Sequence, residues 1–250
     1  MNPASKHHSP YFFTASSLIT DRGLTLEGPD VRHLQTRRAD PGDIINVSDG
    51  AGRVVQARID AIDAAEVKAT ILETAYIERS ATKVSVAQGV AKGGKVDWVV
   101  TKLVEIGVDE IIVFHAGRSV PRWDEPRRAK LAERYSALAY AAAKQSRRAW
   151  LPEVLGPVDL PALLELCSGR ELCLVADPVA ELTLRRGLPS EQVPVLTLVV
   201  GPEGGLEPQE IAELVKEGAR PVRLGSQILR TETAGLVLAS IVLFHIGRIE

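Results

Sequence analysis

"VPVLTLVVGPEGGLEPQEI", residues 193–211, decides how the chain must fold. The stretch up to Val200 is almost wholly apolar and rich in valine, the composition of a buried strand. It runs into Gly201-Pro202-Glu203-Gly204-Gly205, and a helical pattern, "PQEIAELVKEG", begins at Pro208. Glycines permit backbone angles and close approaches that a side chain forbids. A turn alone needs fewer of them, so the loop is read as a tight approach to a ligand or to another chain segment. Strand, loop and helix in that order make an α/β unit.

Outward from this unit the alternation continues. "KVSVAQGV" (83–90), "DEIIVFHA" (109–116), "ELCLVAD" (171–177) and "RPVRLG" (220–225) read as strands. "KVDWVVTKLVEIG" (95–107), the long "DEPRRAKLAERYSALAYAAAKQSRR" (124–148), "DLPALLELC" (159–167) and "TETAGLVLASIVLFHIG" (231–247) read as helices. Asp124 and Pro126 supply start signals for the long one. Such alternation implies a mostly parallel sheet with helices on its faces. Toward the amino terminus the character changes. "YFFT", "DIINVSDG", "RVVQARIDAI" and "EVKATILET", between residues 11 and 75, are short, β-branched and punctuated by Asp-Gly, which predicts a small all-β barrel. Two domains are expected, 1–78 and 79–250, with no internal repeat.

Composition sets the outer limits. The chain has 250 residues, 45% of them hydrophobic and 25% charged, which is ordinary for a globular protein and excludes disorder. No apolar run approaches the roughly 20 residues of a membrane span, and "MNPASKHHSPYFF" lacks the basic segment and apolar core of a secretion signal. A cytoplasmic protein without a membrane partner is expected. Cys167 and Cys173 have no metal or redox spacing and read as buried free thiols. His7, His8, His33, His115 and His245 are scattered, so no metal site is expected. The net charge of −2 conceals a basic middle, residues 81–150, with 13 Lys/Arg against 7 Asp/Glu, and an acidic last third with 8 against 14. A solvated helix face accounts for such a run. Its arginine bias and the interleaved Trp123, Tyr135 and Trp150 also suit an RNA surface.

In parallel sheets ligands bind beyond the carboxyl ends of the strands. Three candidate loops lie there: one at Ala176-Asp177-Pro178, which also reads as a plain turn; the glycine loop; and "VRLGSQILRTETA", residues 222–234. The glycine loop is neither a Walker loop nor a dinucleotide fingerprint, and "AKGGKVD" at 91–97 supplies no Walker loop either. The closing helix is apolar nearly all round, so burial on several sides is expected, with a second subunit covering part of it. Glu232 suits the positive end of that helix. Arg230 does not, and needs an anionic partner: Glu203, Glu232 or a substrate.

With "LVVGPEGGLEPQEI" followed by "VRLGSQILRTETAGLVLASI", the sequence resembles the small-subunit (16S) ribosomal RNA uridine N3-methyltransferases of the SPOUT, or trefoil-knot, class. "RRADPGDIINVSDGAG" is similar to that family's amino-terminal PUA-like RNA-binding barrel, and "VAQGVAKGGKVDWVVTKLVEIGV" and "AAAKQSRRAWLPEV" to further family segments. Two departures stand out: Thr36-Arg37-Arg38 replaces the usual Val-Leu-Arg, and the acidic residue common before Gln-Ser is absent. The resemblance implies a PUA-like β-barrel followed by a parallel-sheet α/β domain with a carboxy-terminal trefoil knot. It implies a homodimer that binds S-adenosyl-L-methionine through Gly201, Pro202, Glu203, Gly204, Leu224, Gly225, Leu229, Thr231, Glu232, Thr233 and Ala234, with Ala176 as a further contact. The substrate implied is 16S ribosomal RNA of the small ribosomal subunit.

Transfer of a methyl group from sulfonium to nitrogen is an in-line displacement, so the protein's main task is alignment. Arg230 is expected to stabilise negative charge developing on the uracil carbonyl oxygens, and Glu232 to accept the N3 proton. Arg37, Arg38, Arg118, Arg122, Arg147 and Arg148 are candidates for RNA contacts, mostly to phosphates. Two rival readings are a knotted methyltransferase acting on transfer RNA or a ribose 2′-hydroxyl, and a non-catalytic RNA-binding ribosome-assembly factor.

Overall fold

The structure, a computed structural model, describes residues 9–119 and 123–250, so His7, His8 and Arg122 lie outside the described residues. The chain divides into two units: one takes in the chain up to Arg79 together with Lys144–Leu151, the other Ser80–Ala143 with Pro152–Glu250.

The first unit is a curled five-stranded sheet of β1 (Tyr11–Phe13), β2 (Gly23–Glu27), β3 (Ile44–Ser48), β4 (Arg53–Ile62) and β5 (Glu66–Tyr76), in the order β1-β3-β4-β5-β2. Only β1 and β3 run parallel. The Asp-Gly signal works as its chemistry requires: the Asp49 carboxylate accepts N–H bonds from Ala51 (2.8 Å) and Arg53 (3.0 Å), closing the β3–β4 turn over Gly50 at φ 72°. Alternate residues Val55, Ala57 and Ile59 of β4 point into a core shared with Phe12, Leu26, Leu34 and Ile45. The two edge strands do not pair with each other, so the sheet is a half-barrel. The Thr14 hydroxyl, just after β1, donates to the Thr25 carbonyl of β2 at 2.9 Å and links the edges. The Lys144–Leu151 stretch packs on this unit. Tyr11 donates to the Arg148 carbonyl (2.9 Å), Ser48 to that of Ala149 (3.0 Å), and the Trp150 indole to that of Ile77 (2.9 Å). Sequence reading passes over helix α1 (Pro29–Thr36), which buries only Val31 and Leu34 as apolar residues, too few to register as a helical period.

The second unit is built on six parallel strands: β6 (Lys83–Gly89), β7 (Glu110–Phe114), β8 (Glu153–Val158), β9 (Leu172–Ala176), β10 (Val195–Val200) and β11 (Arg220–Val222), ordered β11-β9-β10-β6-β7-β8. Its helices are α2 (Lys95–Glu105), α3 (Glu125–Gln145), α4 (Leu160–Ser168), the short α5 (Leu184–Gly187), α6 (Pro208–Lys216) and α7 (Thr231–His245). Strand β8 escapes the sequence reading because Gly156-Pro157 interrupts its pattern and it lies at the sheet edge, where proline is tolerated. Helices α4 and α6 share a core with Ile112, Phe114, Val175 and Val199, and α2 and α7 pack together, α7 also against β10 and β6. Cys167 and Cys173 sit in the first of these cores as buried free thiols, Sγ atoms 3.6 Å apart. Helix α7 is only partly covered within one chain. It buries Ala234, Leu238, Ala239, Val242 and Leu243, but Phe244 is 67% and Ile241 38% exposed, so one chain covers one side of it only.

The two ends of the sheet carry different chemistry. At the amino ends, Glu110 of β7, its side chain 3% exposed, pairs with Lys83 (2.7 Å) and Arg170 (2.8 Å) and accepts from the Ser85 hydroxyl (2.8 Å). Lys83 also holds Glu153 at 2.8 Å. From β6 the chain steps one way to β7 and β8, then crosses to place β9, β10 and β11 on the other side of β6, and a crevice opens at the carboxyl ends where the order reverses.

Candidate functional site

That crevice is a cavity of about 610 Å³ walled by loops that follow five strands. Lys95 comes from beyond β6, Arg118 from beyond β7, Ala176–Pro178 from β9, Val200–Leu206 from β10, and Leu224 with Gln227–Thr231 from β11. Ile211 and Ala234 add apolar surface from α6 and α7.

The glycine loop now has a physical explanation. A Cβ on Gly201 would stand 2.9 Å from the Leu206 nitrogen and one on Gly204 3.1 Å from Arg118 Cβ, while Gly205 has φ 70°. Below the loop, a Cβ on Gly89 at the end of β6 would come within 2.5 Å of the Pro202 nitrogen. The absent side chains therefore let the loop fold on itself and sit flush on the sheet. The Gly205 N–H donates to the Pro202 carbonyl at 2.9 Å and closes the turn. Glu210, 6% exposed, anchors the following helix: its carboxylate accepts the N–H groups of Glu207 (2.7 Å) and Gly117 (2.8 Å).

Charges at the cavity are largely committed. The Glu203 carboxylate accepts from the Lys92 N–H and the Lys95 ammonium, both at 3.1 Å. Partial burial would raise its pKa, but these bonds, one from its own backbone and the Lys95 charge outweigh it and hold the carboxyl below its ordinary range. Lys95 reaches the Glu232 carboxylate as well, at 3.5 Å. The ammonium of Lys95 is accordingly raised, first by its bond to Glu203. Arg118 donates to the Gly204 carbonyl at 2.9 Å and lies 4.0 Å from Glu207.

Arg230 departs from the sequence argument. Both acids that could have partnered it are taken by Lys95, and among the described residues no acid lies within ion-pair distance. It escapes desolvation by standing exposed on the cavity wall, as the residue that caps α7 with its backbone. Of the expected cofactor contacts, Ala176, Gly201, Pro202, Glu203, Gly204, Leu224, Leu229, Thr231 and Ala234 line the cavity, whereas Gly225, Glu232 and Thr233 do not. Gly225 and Thr233 are exposed, and Glu232 is turned to Lys95. Sequence reading missed Lys95 itself. Its only signal was the unmatched pair of acids, Glu203 and Glu232.

The candidate RNA arginines are dispersed. Arg118 lines the cavity, Arg122 lies outside the described residues, and Arg37, Arg38, Arg147 and Arg148 belong to the first unit. There, Arg37 and Ser9 line a hollow of about 330 Å³, and Arg147 donates to the Ser9 carbonyl at 3.1 Å. Arg38 and Arg147 are the non-glycine residues with positive φ among those described, at 55° and 57°.

Residues 78–243 match the model of the RNA methyltransferase domain family. The chain is 32% identical to the ribosomal RNA small subunit methyltransferase E of Mycobacterium tuberculosis over 90% of its own length and 88% of that relative's. It belongs to this family. The Bacillus subtilis member is 30% identical over 89% of this chain and 90% of its own. Among solved structures, the Neisseria gonorrhoeae member bound to S-adenosyl methionine superposes with a TM-score of 0.84 at 27% identity, covering 95% of this chain and 98% of that one. A Legionella pneumophila methyltransferase in complex with the same cofactor gives 0.84 at 26% identity, covering 95% and 98%. Among the described residues there is no group of three or more His, Cys, Asp or Glu side chains that could hold a metal ion, and no helix long and apolar enough to cross a membrane.

Proposed function

We propose that this chain is an S-adenosylmethionine-dependent methyltransferase that modifies N3 of a uridine in 16S ribosomal RNA of the small subunit, acting in the cytoplasm as a homodimer whose chain threads a trefoil knot. The carrying observation is the character of the cavity. Glycine-loop main chain and apolar side chains make much of its wall, Arg118 and Arg230 stand at it, and Lys95 is bound between two carboxylates. A largely apolar wall with a few polar groups suits a nucleoside bearing a sulfonium. The residues fit the cofactor: Val200, Leu206, Leu224 and Leu229 offer apolar contact, and Gly201–Gly205 offer backbone donors and acceptors.

Bound S-adenosylmethionine would supply an electrophilic methyl group. The protein's own task is to hold the uracil in line with it and to manage the N3 proton. Arg230, exposed on the wall and without an acid partner, is the group for the uracil carbonyl oxygens as negative charge develops there. Glu232, next in sequence to the wall residue Thr231 and paired with Lys95 at 3.5 Å, is the proton acceptor, directly or through water. Trp98 of α2, 47% exposed, with Ile241 and Phe244 of the adjacent α7, supports pairing with a second copy.

Two measurements test this reading. Calorimetric titration with S-adenosylmethionine should give saturable heat, and a chain that gives none has lost the cofactor. Methyl transfer to unmodified small subunits and to free RNA, followed by nucleoside analysis, should place the methyl on uracil N3; a ribose methyl would refute that position.

Arg38 yields a separate expectation. It follows helix α1 in a left-handed backbone conformation, its N–H bonded to the Gln35 carbonyl at 3.0 Å, where glycine carries the least strain. Arg38→Gly should therefore stabilise the fold by up to about 1 kcal/mol. If Arg38 touches phosphate, the same change weakens RNA binding and lowers its salt slope by about one. Thermal melts beside anisotropy titrations at several salt concentrations would check both; unaltered RNA affinity would remove Arg38 from the interface.

A further inference from the structure

We propose that Gln88, which lines no part of the cavity, is a positioning residue for the cofactor, acting through Thr231 and Gly201. The inference rests on the cofactor reading above. Gln88 is the penultimate residue of β6 and is 1% exposed. Its Nε2 donates to the Thr231 hydroxyl at 2.8 Å and to the Gly89 carbonyl at 3.2 Å. The Thr231 hydroxyl donates in turn to the Gly201 carbonyl at 2.5 Å. Thr231 and Gly201 are both cavity walls, one opening α7 and the other opening the glycine loop.

The direction of these bonds is fixed by proton count. A hydroxyl has one proton, and Thr231 gives it to Gly201, so only a donor can face its lone pairs. Turned the other way, the Gln88 amide would set oxygen against oxygen. The amide oxygen is therefore left facing α7, buried and without a hydrogen-bond partner. It fits there because residue 235 is glycine: a Cβ at that position would stand 2.9 Å from Gln88 Oε1. An unsatisfied buried oxygen is costly, and it persists here because the other end of the amide holds two loops together. Gly89 supplies the steric half of the same seat, since its bare Cα lies under Pro202. Three positions in sequence, Gln88, Gly201 and Thr231, are thereby set in one register before a ligand arrives. The backbone groups of the glycine loop, whose orientation follows the Gly201 carbonyl, are aimed by a side chain that never meets the ligand.

Calorimetric titration with S-adenosylmethionine reads this directly, without RNA or turnover. Gln88→Leu removes the donor and should weaken binding about tenfold. Gly235→Ala pushes the amide away from Thr231 and should weaken binding similarly. Its melting temperature should fall less than the loss of the buried contact alone would cause, because alanine is the better helix former, and the affinity loss at a temperature where it stays folded separates positioning from loss of fold. Thr231→Val should also weaken binding, and the Gln88→Leu/Thr231→Val double variant should bind no worse than Thr231→Val alone, since both break one chain of bonds. Wild-type affinity in Gln88→Leu and Gly235→Ala, or losses that multiply in the double variant, would overturn the inference while leaving the cofactor reading intact. A wild type that gives no heat overturns both.

Discussion

Arg230→Ala is expected to lower the turnover of methyl transfer by about 10²- to 10³-fold, the loss typical of removing one charge-stabilising donor from an active site. Cofactor affinity should hardly change. The guanidinium makes no ion pair with the described acids, so its removal orphans nothing. A cation sharing a cavity with a sulfonium gains nothing from it in the ground state, since the two charges repel. In the proposed N3 reaction its attraction to the uracil oxygens grows only as the proton departs, so the loss should fall on kcat rather than on cofactor binding. Arg230→Lys keeps the charge but not the planar fork and should recover only part of the rate. Single-turnover methylation of unmodified small subunits beside calorimetry on the same variants would separate these effects. A tenfold or greater loss of cofactor affinity with normal turnover would move Arg230 from chemistry to binding.

Glu110→Ala is expected to cost stability of about 3–5 kcal/mol, the range found when one partner of a buried ion pair is removed. Its carboxylate is the shared counterion of Lys83 and Arg170, and without it Arg170 keeps no acid partner among the described ion pairs. Lys83 keeps only Glu153, whose side chain is 59% exposed. Against a typical total of about 5–15 kcal/mol, such a loss leaves the domain marginal at 37 °C. Burial pushes the Glu110 carboxyl up, but the bonds from Lys83 and Ser85 and the Arg170 charge outweigh it and leave the pKa lowered. Its stabilisation is thus complete above the ordinary carboxylate range and disappears as pH falls through the depressed folded value. Burial pulls Lys83 down, yet Glu110 and Glu153 leave it raised, so its share holds below the ordinary lysine range and is lost as pH rises through the higher folded value. Denaturant melts at several pH values should show the Glu110→Ala deficit at neutral pH shrinking in acid. A deficit that stays constant down to pH 2 would show that lost packing, not charge, is responsible.

The sheet and glycine loop were readable because their signals are local. The run to Val200 is apolar but for Thr197, and the glycines mark where side chains would strike the chain itself. The same locality explains the misses. Strand β8 has no pattern of its own around Gly156-Pro157, and α1 turns only two apolar residues inward. Lys95 and Gln88 matter through partners more than a hundred residues away, Glu203 and Thr231, and no window of sequence displays such a pairing. The charge argument for Arg230 correctly required a partner for a desolvated cation. It went astray on the premise, because the residue stays in water and Lys95 had already satisfied the acids.

The bond from Gln88 to Thr231 spans 143 residues, and the donor is in place long before its acceptor is made. Closing so long a loop is slow, and it waits on the synthesis of Thr231. The glycine loop therefore takes up its register only once α7 has formed and docked, and the cavity is completed late in folding.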